Sequence, residues 1–187
     1  MNNELLTGDL VKLVAVNPAV DADRFSRWAL DSEYSRLLDT DPARLWSAQK
    51  VKQWLEKSLE KESGNEFTFM MNTLENEQTI GFIGLDGIRW NHGDAYVGIG
   101  IGEREFRGKG YGTDAMRVLL KYAFTELNLH RVSLNVFAYN SMAIRSYEKA
   151  GYVIEGKQRE YLNREGKRWD MVFMGILKED WIKTGAT

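Results

Sequence analysis

Val97-Gly98-Ile99-Gly100-Ile101-Gly102 is followed, four residues later, by Arg107-Gly108-Lys109-Gly110-Tyr111-Gly112-Thr113. Read as a strand, the first stretch puts its three glycines on one face and Ile99 and Ile101 on the other. Glycine weakens a strand interior, so three in register indicate either something approaching the backbone closely or a bulged strand packed against bulky side chains. The second stretch leads directly into Tyr111 to Leu127, where Ala115, Leu119, Tyr122 and Ala123 fall on one helical stripe. A helix start presents unpaired N–H groups and about half a positive charge, and glycines let those amides converge on a phosphate. Arg107 and Lys109 would add charge at the same place. The P-loop pattern G-x-x-x-x-G-K-[ST] is absent, and G-x-G-x-G after an antiparallel meander does not match the dinucleotide fingerprint. A pyrophosphate suits this position.

Outward from this centre, the texture is that of strands followed by alternating helix and strand. Leu10 to Val16 predicts a strand closing at Asn17-Pro18, and two helices follow, one over Ala22 to Leu38 and one opening at Ser47. Phe67 to Asn72, Thr79 to Trp90 and Ala95 to Gly102 predict an antiparallel meander with turns at Glu75-Asn76-Glu77 and Asn91-His92-Gly93-Asp94. Val132 to Ala138 alternates as a strand. A helix then runs from its cap Asn140 to Gly151, and Tyr152 to Glu160 and Lys167 to Leu177 make a closing hairpin. The pattern is mixed α/β.

Hydrophobic residues are 43% and charged residues 28% of 187, the balance of one folded domain over 1–187. Lysine plus arginine number 25 against 27 acids, a net charge of −2 that supplies no field for a nucleic-acid backbone. With no cysteine and two histidines, neither a disulfide nor a thiolate or histidine-rich metal site is expected. Met1 to Glu4 lacks a basic region ahead of an apolar run, and no apolar segment reaches ~18 residues, so a soluble cytoplasmic protein without membrane contact is expected.

Arg107-Gly108-Lys109-Gly110-Tyr111-Gly112 resembles the Q/R-x-x-G-x-G/A signature of the GNAT N-acetyltransferases. Asn140-Ser141-Met142-Ala143-Ile144-Arg145-Ser146-Tyr147-Glu148-Lys149-Ala150-Gly151-Tyr152 resembles that family's N-x-x-A-x-x-x-Y-x-x-x-G-F/Y segment. The resemblance is closest over Ala95 to Leu177, and the tail from Asn163 to Trp181 is similar to the RimJ/RimL and spermidine acetyltransferase branches. It implies a mostly antiparallel sheet splayed in the middle with helices on both faces, and acetyl-CoA as cosubstrate. It further implies that Gly100, Ile101 and Gly102 line the pantetheine arm, that Arg107, Gly108, Lys109, Gly110, Tyr111, Gly112 and Thr113 wrap the pyrophosphate, and that Asn140 and Arg145 reach the cofactor. An amide of the glycine strand, that of Ile101, would stabilise the thioester oxyanion. Tyr147 would protonate the departing thiolate.

Residue by residue, blander readings stand beside these. Asn140 also reads as a simple N-cap, Tyr147 as half-buried packing and Arg145 as helix surface. With no cysteine to carry an acyl group, direct attack by an amine in a ternary complex is expected. No base is assigned. His92 and His130 fall in a turn and a junction, and Glu66, Asp86 and Asp170 are carboxylates suited to positioning an amine or to plain surface solvation. Of the six tryptophans, Trp28 and Trp46 lie where the resemblance puts the acceptor side. An α-amine of a peptide is slightly preferred as acceptor over a polyamine, because its pKa near 7.7 to 8.0 leaves roughly a tenth neutral at pH 7. A non-catalytic CoA-binding sensor is the alternative from another class, and homo-oligomerisation is left open.

Overall fold

The computed structural model describes residues 5–60 and 64–185; the sequence reading of Met1 to Glu4 falls outside them. Among these residues seven strands form one sheet: β1 (Val11–Ala15), β2 (Phe67–Thr73), β3 (Thr79–Arg89), β4 (Asp94–Ile101), β5 (Arg131–Phe137), β6 (Val153–Arg164) and β7 (Lys167–Leu177). Their spatial order is β1-β2-β3-β4-β5-β7-β6, antiparallel except between β4 and β5. That parallel pair makes contact only at Asp94, Ala95 and Tyr96 against Arg131, Val132 and Ser133. Beyond it, β4 stays with β3 and β5 stays with β7, so the sheet opens into a V.

Among the described residues six helices cover the two faces: α1 (Pro18–Trp28), α2 (Ser32–Leu38), α3 (Ala48–Glu60), α4 (Tyr111–Thr125), α5 (Ser141–Lys149) and α6 (Lys178–Lys183), with a 3-10 turn at Arg104–Phe106. Strand alternation sends Ile83, Leu85, Ala95, Val97, Val132 and Leu134 to one face, where they pack with Ala115, Leu119, Ala123 and Phe124 of α4 in the main core. The opposite face carries Met70 and Phe82, which pack with Phe25, Trp28 and Tyr34 of α1 and α2.

The helix predicted over Ala22 to Leu38 is in fact two. Asn17 caps α1 ahead of Pro18, and the chain breaks at Ala29-Leu30-Asp31, where the Asp31 carboxylate accepts from the amides of Glu33 and Tyr34 to start α2. Apolar periodicity runs through the break because both helices bury the same face, so the periodicity alone hides it. At the other end, β6 extends to Arg164 and its hairpin turns on Glu165 and Gly166, both at positive φ (55° and 71°). Helix α6, not predicted, is anchored by Trp181, which packs on Phe124 at 5.4 Å.

Candidate active site

The V between β4 and β5 is the floor of a cleft of about 560 Å³, a size ordinary for a small-molecule site. Its backbone edge is set by register. Gly102 N–H donates to Ile80 O at 2.9 Å, so ladder alternation turns the N–H and C=O groups of Ile99 and Ile101 away from β3 and into the gap. The Ile101 carbonyl there accepts from Arg107 Nε at 2.9 Å. The Ile101 amide faces the same gap.

One end of the cleft is the start of α4. Gly108 and Gly110 sit at φ 73° and 95°, a region L side chains rarely adopt, and α4 has no side-chain cap. The amides of its first turn are therefore open to an anion. Gly108, Gly110, Gly112 and Thr113 line the cleft here, as does Arg107, while Thr113 Oγ1 pairs with Ser146 Oγ at 2.8 Å. The carboxylate in that turn, Asp114, is turned away and held by the amides of Asp9, Leu10 and Val11 at 3.1, 2.8 and 3.0 Å. These residues fit a pyrophosphate.

Arg107 differs from the expectation that it faces phosphate. Its guanidinium is turned inward, 11% exposed, and bonds Ile101 O, Gly102 O and the Asp31 carboxylate, each at 2.9 Å. Burial raises the Asp31 carboxyl, but the Arg107 hydrogen bond and the amides of Tyr34 and Glu33 outweigh it and hold its pKa below the usual range. The arginine is thus a clasp between the glycine loop and α2. Lys109 is exposed outside the cleft lining, and Tyr111 packs edge-on against Phe106 at 5.2 Å.

Gly102 also departs from the expected lining. A Cβ there would lie 2.0 Å from Trp28, so the bare side of the strand at this point is filled by indole. Gly100 and Ile101 do line the cleft, and a Cβ on Gly100 would meet Phe82 at 2.8 Å and the Tyr34 hydroxyl at 3.1 Å. Gly98 faces open space. Of the two readings of the glycine face, bulky side chains therefore account for Gly102 and, in part, Gly100, while Gly98 remains free for a ligand.

α5 supplies the other wall. Asn140 caps it, accepting from the Ala143 amide at 3.2 Å, and also lines the cleft. Arg145 and Tyr147 line it further along. Burial pushes the Tyr147 hydroxyl up to about 12, so it keeps its proton at neutral pH. Its ring lies 6.2 Å from that of Tyr152, whose buried hydroxyl is likewise raised by burial.

On the glycine face the lining includes Tyr34, Leu37, Leu38, Asp86 and Tyr96, facing Asn135 and Phe137 across the gap. Tyr34 is not legible in the sequence because the apolar periodicity of Ala22 to Leu38 hides the start of α2; Asn135, a polar residue in an alternating apolar strand, is a visible signal. Trp46 packs on Trp54 at 6.4 Å, and His92, His130, Glu66 and Asp170 are outside the lining. Among the described residues no group of acids and histidines could hold a metal, and no helix is long and apolar enough to cross a membrane.

A family model for the acetyltransferase (GNAT) domain matches residues 11–153. The SPbeta prophage-derived uncharacterized N-acetyltransferase YokL of Bacillus subtilis (strain 168) is 29% identical over 175 residues, 94% of each chain. The spermidine N(1)-acetyltransferase of Vibrio cholerae serotype O1 is 35% identical over 103 residues, 55% of this chain and 59% of that one. The crystal structure of spermidine N-acetyltransferase from Vibrio cholerae in complex with CoA and spermine superposes with a TM-score of 0.81 at 25% identity, covering 92% of this chain and 98% of that one.

Proposed function

The chain belongs to the GNAT acetyltransferase family, and on that premise we propose that it moves the acetyl group of acetyl-CoA onto a primary amine of a small polycationic acceptor entering from the glycine face. The observation carrying this reading is that the gap between β4 and β5 joins two unlike ends. Helix-start amides and glycines lie at one, the Asp86 carboxylate at the other, with Tyr34, Ile101 and Tyr147 along the walls between.

The division of labour follows from those positions. The α4 amides take the negative charge of the pyrophosphate, and the Ile101 N–H donates to the carbonyl oxygen as it becomes an oxyanion. The amine nitrogen bonds to the carbonyl carbon, the carbon–sulfur bond breaks, and sulfur takes the Tyr147 proton while the nitrogen releases its extra proton to water. Tyr147 is then reprotonated from solvent. The chain has no cysteine to carry an acyl group in between.

A specific observation favours a second reading, a peptide α-amine. Asp86 is the one carboxylate among the described lining residues, and its register partner Tyr96 stands five residues from Ile101, about 16 Å at ~3.3 Å per residue. No carboxylate base adjoins the reacting nitrogen, which suits an amine already partly neutral. Free CoA release measured with spermidine and with unblocked peptides separates the readings. Higher kcat/KM for spermidine is expected; efficient peptide acetylation without polyamine turnover rejects the first reading, and no release with any amine leaves a CoA-binding sensor.

A further inference from the structure

We propose that the acceptor is gripped at two points on the glycine face: its attacking amine by the Tyr34 hydroxyl beside Gly100, and a second cationic group by the Asp86 carboxylate. This rests on the polycationic reading of the acceptor and adds to it the residues that measure the molecule.

Tyr34 is 7% exposed and lines the cleft, yet its hydroxyl has no hydrogen-bond partner among the described residues. Buried polar groups are nearly always paired, so an unpaired one at a ligand cleft marks a group whose partner arrives with the ligand. Its placement is determined from both sides. The Asp31 carboxylate caps the helix that carries it, Arg107 clasps Asp31, and the guanidinium lies 5.7 Å from the Tyr34 ring centroid. Glycine at 100 leaves the hydroxyl room, since a Cβ would come within 3.1 Å of it. There the oxygen accepts an N–H of a neutral amine, leaving the nitrogen lone pair free for the carbonyl carbon.

Asp86 stands on the same face. Its register partner is Tyr96, and Gly98 and Gly100 follow on that side of β4, so the two grips are about 13 Å apart at ~3.3 Å per residue. The floor between them is open, with nothing within 4 Å of where a Gly98 Cβ would stand. The Asp86 carboxylate has no hydrogen-bond or ion-pair partner among the described residues, and Glu66 adds negative charge beside it. Its distance from Ile101 excludes it from taking the proton of the reacting nitrogen, whereas a distal ammonium would satisfy it directly.

The test is steady-state kinetics of the wild type, Asp86→Asn and Tyr34→Phe with spermidine, a series of linear α,ω-diamines and butylamine, with acetyl-CoA binding followed by calorimetry. Wild-type kcat/KM should rise with diamine length to an optimum. Asp86→Asn should flatten that dependence and raise the spermidine KM about tenfold or more, with a much smaller change in kcat, the scale of one lost charge-assisted hydrogen bond. Tyr34→Phe should lower kcat/KM for butylamine and spermidine alike, with acetyl-CoA affinity kept. Length dependence preserved in Asp86→Asn, or full amine turnover in Tyr34→Phe, overturns the two-point grip while leaving the acceptor class standing. A wild type that acetylates no diamine overturns both.

Discussion

Tyr147 has one proton to give and an environment that keeps it. Burial raises its pKa to about 12, so the neutral acid is the populated form across the range in which amines become nucleophilic. For a group with a raised acid pKa the protonated state is lost only as pH climbs through the raised value, so no alkaline fall in kcat from this residue is expected between pH 7 and about pH 10. Tyr147→Phe keeps the ring against the core and removes the proton; kcat should drop by ~10²-fold at every pH in that window, with acetyl-CoA affinity kept. A wild-type kcat that falls near pH 10, in a limb the phenylalanine variant lacks, would contradict the raised pKa, and a Tyr147→Phe kcat equal to that of the wild type would remove the tyrosine from the mechanism. Arg107 teaches the complementary lesson. A basic residue in a glycine loop invites the reading of a phosphate ligand, yet this guanidinium is matched by Asp31 and two carbonyls, so its charge holds the loop and α2 together.

Among the elements, β4 shows most directly how one strand serves two masters. Its core face is apolar and packed by α4, while its glycine face is filled by Trp28 at Gly102, approached by Tyr34 at Gly100 and open at Gly98. The Trp28 ring is 2% exposed and its Nε1 donates to Glu103 at 2.9 Å, so it cannot retreat from an added methyl group. Gly102→Ala should therefore destabilise the fold by about 1–3 kcal/mol in urea unfolding, the scale of overpacking a filled core. Gly98→Ala, with open space before it, should fall near the wild type in the same measurement. Equal stability of the two variants would disprove the packing account. The strands, both caps of α5 and the glycine-loop helix start were legible in the sequence because each rests on local rules: alternation, capping and positive φ. What was not legible depended on distant partners. The burial of Gly102 under Trp28, the arrival of Tyr34 at Gly100 and the clasp of Arg107 on Asp31 join residues some 70 positions apart, and no periodicity records them.

In the whole molecule, the parting of β4 from β5 sacrifices a run of ladder hydrogen bonds in the middle of the sheet; Arg107 takes the Ile101 carbonyl there, and the Ile101 amide is left facing the cleft. One half of the molecule, β1 to β4 with α1 to α4, contributes the helix-start amides; the other, β5 to β7 with α5, contributes Asn140 and Tyr147. A cosubstrate lying in the V touches both halves and binds only when they are held together, so its free energy of binding adds to the stability of the folded chain. At a hundred times Kd the gain is about 2.7 kcal/mol, which for a chain of this size raises Tm by roughly 5–10 °C. Gly110 is the position on which this depends most sharply, since its φ of 95° places the backbone where only glycine sits without strain, and a side chain there would shift the start of α4 that carries the amides. Thermal melts with and without acetyl-CoA should show the full shift for the wild type and little or none for Gly110→Val, even where the variant's own Tm is lower. A Gly110→Val protein that gains as many degrees as the wild type at the same acetyl-CoA concentration would move the anion site away from the start of α4.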